Sequence, residues 1–230
     1  MVFELLRDCF TLEDPASGFD LLFELCTHTT QGRLFAPMAY FLGASRLLAL
    51  EKPSRGVRPI AVGEVLYRLI ARSLGFQFWE ALADHFSPLQ FGVAMHGGCK
   101  IIIHGLQATL DLHPDWVVLQ VDIKNAFNTI SREALFCTRQ GDPLGGTLFA
   151  LAHLCALRTV ASKHPLYLFP SLADDTHIVG FLEAVVPAFH TLEGHLLAVG
   201  LTVQPTKCAA WSPSGLHLLC HFLQVLHSLS

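Results

Sequence analysis

"LYLFPSLADDTHIVGF", residues 166 to 181, reads as strand, tight turn and strand, with Asp174 and Asp175 side by side at the tip. Two adjacent carboxylates repel, and in a partly buried place the lost hydration further disfavours ionising both. An exposed turn answers this one way, since Asp tolerates turn geometry and water screens the charges. A divalent cation answers it another way, because its own charge inverts the repulsion between oxygen ligands. The doublet alone favours the turn, so the neighbouring segments decide.

Upstream, "DWVVLQVDI" (115 to 123) is β-branched and apolar with Asp122 near its end, which suits a buried strand delivering a carboxylate. If that strand lies beside the hairpin, Asp122, Asp174 and Asp175 converge at one end of a sheet. Three such carboxylates outline a two-metal site, in which ions roughly 3.5–4 Å apart activate an attacking oxygen and stabilise a leaving one. Hard oxygen ligands suit Mg²⁺, with Mn²⁺ as a substitute.

Helical spacing of apolar residues predicts helices over 17 to 30, over "GEVLYRLIARSLGFQFWEALADHF" (63 to 86), after Gly97 and Gly98, and over "GDPLGGTLFALAHLCALRTVASKH". A further helix, "LEAVVPAFHTLEGHLLAVG", carries Pro187, which argues against its first half. "EKPSRGVRPIAV" reads as two short extended pieces punctuated by Pro53, Gly56 and Pro59, and a short strand is expected around "LTVQPTKCAAW". Helices between strands predict an α+β fold whose sheet carries helices on one face.

The 230 residues, 52% of them hydrophobic, are ample for a core. A mean hydropathy of +0.45 raises a membrane-associated structural protein as one reading. Against it, "LGGTLFALAHLCAL" is too short to span, and "LHLLCHFLQVLHSLS" is interrupted by three histidines. Glu4, Arg7 and Asp8 spoil the start for a signal peptide, and seven scattered cysteines without a C-x-x-C pair suggest a reduced compartment. The expected location is intracellular, nuclear or cytoplasmic, with no membrane partner. A net charge of −4 counts against strong polynucleotide binding, yet Arg46, Lys52, Arg55, Arg58, Arg68 and Arg72 cluster in sequence and allow a local basic face.

The chain resembles a reverse transcriptase, an RNA-directed DNA polymerase, of the kind encoded by non-LTR (LINE-like) retroelements. "VDIKNAFNTISRE" resembles the first catalytic-aspartate motif, "QGDPLGGTLF" the template and nucleotide motif, and "LADDTHIVG" the aspartate-doublet hairpin. "ALEKPSRGVRPIAVGEVLYRLIAR" resembles the fingers motif, "FGVAMHGGCKIIIH" the segment leading into the palm, and "GLTVQPTKC" a short lysine motif. The matches run in the family's order over roughly residues 45 to 210.

The resemblance implies a right-hand polymerase palm, an antiparallel sheet with helices on one face, plus partial fingers. It implies an N-terminal segment and partial fingers over 1–110, the palm over 111–212, and over 213–230 a C-terminal helix beginning a thumb. It makes Asp122, Asp174 and Asp175 the metal-binding and catalytic carboxylates, and Lys207 a catalytic group at the leaving pyrophosphate. Arg58 would hold the triphosphate through its planar fork. Phe127 would exclude a sugar 2′-hydroxyl, its plainer reading being a core aromatic. Gln140 and Gly141 would border nucleotide and template. The implied partners are an RNA template, a DNA primer and deoxynucleoside triphosphates.

Two departures from the family pattern shape the expectation. Residues 123 to 139, only 17 of them, separate Asp122 from Gln140, where the family places a considerably longer fingers segment. The chain also stops at Ser230, soon after the lysine motif. The expectation is therefore an internally shortened, truncated reverse-transcriptase domain with impaired nucleotidyl transfer. The alternative is a non-catalytic retroelement remnant that at most binds nucleic acid.

Overall fold

A computed structural model of the chain describes residues 15–51, 56–131 and 141–215. They separate into two compact units, the first built from residues up to Gln77 with 141–144, the second from Phe78 onward without that short piece. The expected C-terminal helix over 213–230 lies almost wholly outside the described residues.

In the first unit, α1 (Pro15–Thr30) and α2 (Ala36–Gly43) precede a hairpin of β1 (Ser45–Glu51) and β2 (Val57–Gly63), followed by α3 (Val65–Gln77). Of the two extended pieces expected within 51–62, the second is β2, while 52–55 lie outside the described residues. Its antiparallel partner β1 lies upstream of that segment, the ladder running from Ser45↔Gly63 to Glu51↔Val57. Helix α3 packs against α1 and α2. The single helix expected over 63–86 is instead two, α3 and α4 (Trp79–Phe86), broken where Phe78 leaves helical geometry at φ −96°, ψ 5°. Gly75, three residues earlier, weakens the helix locally, and the break is also where the chain leaves the first unit.

The second unit continues with α5 (Gly98–Leu112), β3 (Val117–Val121), the single turn α6 (Ala126–Thr129) and α7 (Gly145–Lys163). After these come β4 (Ser171–Leu172), β5 (Asp175–Gly180), α8 (Leu182–Ala198), a 3-10 turn (Pro205–Lys207) and β6 (Ala209–Trp211). The sheet order is β4-β5-β3-β6 with every neighbouring pair antiparallel. Strand alternation decides the packing. Leu119, Val121 and Ile178 meet Phe149 and Leu157 of α7 and Phe189, Leu192 and Leu196 of α8, forming the main core.

Helices stand on both faces of this sheet, not on one. Val118 and Val179 point the other way and are apolar too, so Leu106 and Leu110 of α5 cover them together with Trp116 and Tyr167. Helix α8 runs through Pro187 without interruption. An interior proline costs about 3 kcal/mol, whereas burying Val185, Phe189, Leu192 and Leu196 on one helix face returns roughly 1.5–3 kcal/mol for each large side chain. The buried face outweighs the broken ladder. Among the described residues, no helix is long and apolar enough to cross a membrane.

Candidate active site

The doublet hairpin closes with Leu172 paired to Asp175, leaving Ala173 and Asp174 as a two-residue turn. Such turns favour positive φ, and Ala173 sits at φ 56°, a left-handed conformation that costs a non-glycine residue about 1–2 kcal/mol. The fully buried Gln90 meets that residue with its amide. Its Oε1 accepts the Ala173 N–H at 2.8 Å, and its Nε2 donates to the Ala173 carbonyl at 2.9 Å. The same Oε1 accepts the Gly92 N–H at 2.8 Å. Gly92 lies so near that a Cβ there would strike the Ala173 backbone.

Under the tip runs a buried polar chain. Ser171 Oγ lies 3.1 Å from the Asp175 carbonyl and 3.2 Å from Thr176 Oγ1, which lies 3.2 Å from His153 Nε2. Burial pushes His153 down to about 4, opposed in part by a backbone contact to Ala173, so the ring is neutral at ordinary pH. Its Nδ1 is buried without a hydrogen-bond partner.

Asp122 follows directly on β3. The ladder pairs Val121 with Thr176, and one step on in the same register Asp122 and Asp175 occupy facing positions. On the other side of β3, the Asp122 carbonyl accepts the Gln204 N–H at 2.8 Å, which draws the 3-10 turn alongside. Lys207 Nζ then stands 3.7 Å from Asp122 Oδ2. Cys208, next in sequence, is buried, and burial pushes its thiol up. Phe127 is half-buried, its ring 4.9 Å from that of Phe149 between centroids. Asp174 is half-buried and Asp175 exposed.

The other predicted residues fall elsewhere. Arg58 is exposed on β2 of the first unit, opposite Leu50 in the ladder. Gly141, in the same unit, has φ 103°, and a Cβ there would come within 2.6 Å of the Ala61 carbonyl oxygen. Its close backbone approach is to β2. Beside it, Asp142 was not singled out from sequence, yet its carboxylate accepts the Tyr67 hydroxyl and the Leu144 N–H, both at 2.9 Å. Gln140 lies outside the described residues. Gln90, Ser171, Thr176 and His153 were likewise missed; a glutamine directly before F-G in an apolar loop is the faint sequence signal for the first.

The donor chemistry of the three aspartates fits a hard divalent ion. One further observation fits it as well: Asp122 Oδ2 is buried and has no hydrogen-bond partner, its neighbouring cation being Lys207 beyond hydrogen-bond reach. Among the described residues, however, no three His, Cys, Asp or Glu side chains are grouped to hold a metal ion.

No protein-family model matches this sequence, and no curated protein matches it. Among solved structures, the chain is similar in fold to a telomerase from Candida albicans, determined in complex with a fragment of telomeric RNA. The TM-score is 0.57 at 10% identity, over 79% of this chain and 44% of that one. The fold is thus a mixed helix and sheet architecture with antiparallel sheets, similar to part of that telomerase chain. The chain spans less than half the length of the telomerase chain it matches.

Proposed function

We propose that this chain is a reverse-transcriptase-type domain for RNA-templated DNA synthesis by metal-dependent nucleotidyl transfer, of the kind carried by LINE-like retroelements. The observation that carries this reading is the β3–β5 register, which sets Asp122 and Asp175 at facing positions with Asp174 in the adjoining turn. In this reading residues 111–212 are the palm, and residues 1–110 contribute an N-terminal segment and partial fingers.

Asp122, Asp174 and Asp175 would hold Mg²⁺, which when bound activates the primer hydroxyl and stabilises the leaving pyrophosphate. The chain's own groups would do the rest. Lys207, on its 3-10 turn, would offset carboxylate charge at Asp122 and donate a proton to the leaving group. Arg58 would clamp the triphosphate, Phe127 would exclude a 2′-hydroxyl, and Gln140 and Gly141 would border nucleotide and template. The partners are an RNA template, a DNA primer and deoxynucleoside triphosphates.

The short link between Asp122 and Gln140 predicts slow turnover, since small misplacements of reacting groups cost about a hundredfold. Primer extension on an RNA template with Mg²⁺ or Mn²⁺ should therefore show slow incorporation that vanishes in Asp175→Asn. A chain with no Asp175-dependent incorporation is not the enzyme.

One observation favours a second reading, a non-catalytic chain that binds nucleic acid: among the described residues no three metal-ligating side chains are grouped. Template binding that persists in Asp175→Asn, without extension by either protein, would select it.

A further inference from the structure

We propose that Gln90 is the positioning residue for the Asp174–Asp175 doublet, acting as a buried amide clamp that holds the Ala173 turn in its left-handed conformation. The inference deepens the polymerase reading and rests on it for the use of the doublet, but the clamp is a property of the chain itself.

Ala173 is the only residue between Leu172, the last position of β4, and Asp174, and its φ of 56° is one that alanine rarely adopts. The local sequence offers the Ala173 carbonyl a hydrogen bond from Ser171 Oγ at 3.1 Å, but it leaves the Ala173 N–H to be met from elsewhere. A glycine or asparagine would be the usual choice at such a φ. The security comes from Gln90, 83 positions away in sequence, whose amide takes up both the N–H and the carbonyl of Ala173. A primary amide is well shaped for this, because its acceptor and donor, side by side, match the two polar groups of a single residue.

The clamp is itself held. The Phe91 N–H donates to the Ser171 carbonyl at 2.7 Å, and the Ser171 N–H donates to the Leu89 carbonyl at 2.8 Å, so the strand-like segment around Gln90 runs beside β4. Gly92 lets that segment come close enough, since any Cβ would strike the Ala173 backbone. Gln90 is fully buried and so does not meet substrate from solvent. Its effect on the carboxylates passes through the turn: if Ala173 relaxes to ordinary φ, the peptide before Asp174 rotates and both carboxylates change direction.

The test is a double-mutant cycle on the full chain. Gln90→Met keeps the side chain's length and removes the amide. It should speed amide exchange at Ala173, Asp174 and Asp175 at least tenfold and weaken Mn²⁺ binding, read by water-proton relaxation, by about tenfold. Adding Ala173→Gly, which favours the left-handed conformation unaided, should restore both to within about threefold of the parent. A residue that merely fills the core would show no such rescue.

Should Gln90→Met fail to fold, Gln90→Glu decides the matter by keeping the shape and the acceptor. Its exchange at Ala173, relative to the parent, should be fast at pH 8 and slow as the pH falls and the acid O–H replaces the amide donor. If Mn²⁺ does not bind even the parent, the metal reading fails, and amide exchange alone still decides the clamp. Unchanged exchange in Gln90→Met, or no rescue by Ala173→Gly, overturns the proposal.

Discussion

Lys207 Nζ stands 3.7 Å from Oδ2 of Asp122, a buried carboxylate oxygen with no hydrogen-bond partner. The lysine is 56% exposed and the aspartate 33%, so water screens much of their attraction. A half-screened ammonium is a weak occupant for the place beside an oxygen that lacks a partner, and a divalent ion would compete for it.

Lys207→Met should therefore cost little stability, under about 1 kcal/mol by chemical denaturation, and should enlarge the thermal stabilisation given by millimolar Mn²⁺. Ligand binding to the native state raises Tm by mass action, so the parent should also respond, and Asp174→Asn should respond less. A parent Tm indifferent to Mn²⁺, or an equal rise in Asp174→Asn, would count against the site.

Nucleic acid should bind weakly through the first unit, where Arg46, Arg58, Arg68 and Arg72 are all exposed while the chain as a whole carries a charge of −4. Each phosphate contact on a single strand contributes about 0.7 to the slope of log K against log salt. Arg58→Ala with Arg68→Ala should flatten that slope by about 1.4. Binding that survives high salt would point to another surface.

His153 makes stability depend on pH with a definite sign. Its folded pKa, about 4, lies below the ordinary value near 6.5, so between those values the unfolded chain binds the proton and the folded chain does not. Stability is full above about pH 6.5 and falls as pH drops toward 4, by about 3 kcal/mol from this residue. Burial lowers His177 as well, which adds to the loss with the same sign. The direct check is NMR: the His153 ring signal should not titrate between pH 8 and 5, and a midpoint near 6.5 would refute its burial.

Two glycine-to-alanine changes should differ in sign. Gly141→Ala forces a side chain at φ 103° against the Ala61 carbonyl and should destabilise the first unit by at least about 1 kcal/mol, read by amide exchange along β2. Gly105→Ala lies in α5 with open space around its Cβ and should stabilise the second unit by about 0.5–1 kcal/mol. A stabilising Gly141→Ala would mean the β2 contact is absent.

Elements whose cause is local were legible in the order of residues. A β-branched apolar run made β3 and put Asp122 one residue beyond its end, while the polar doublet in an apolar stretch marked the hairpin tip. What holds those pieces was set by packing between distant segments. Which face α5 would cover followed from Val118 and Val179 both turning apolar on the far side of the sheet, and α8 outlasted Pro187 because its buried face outweighs one broken ladder. Above all, the turn at Ala173 depends on Gln90, 83 residues distant in the chain. Periodicity and turn chemistry act over a few residues and leave a record there. A hydrogen bond between distant segments depends on where folding brings two groups, and a single glutamine in a loop carries no local sign of its partner.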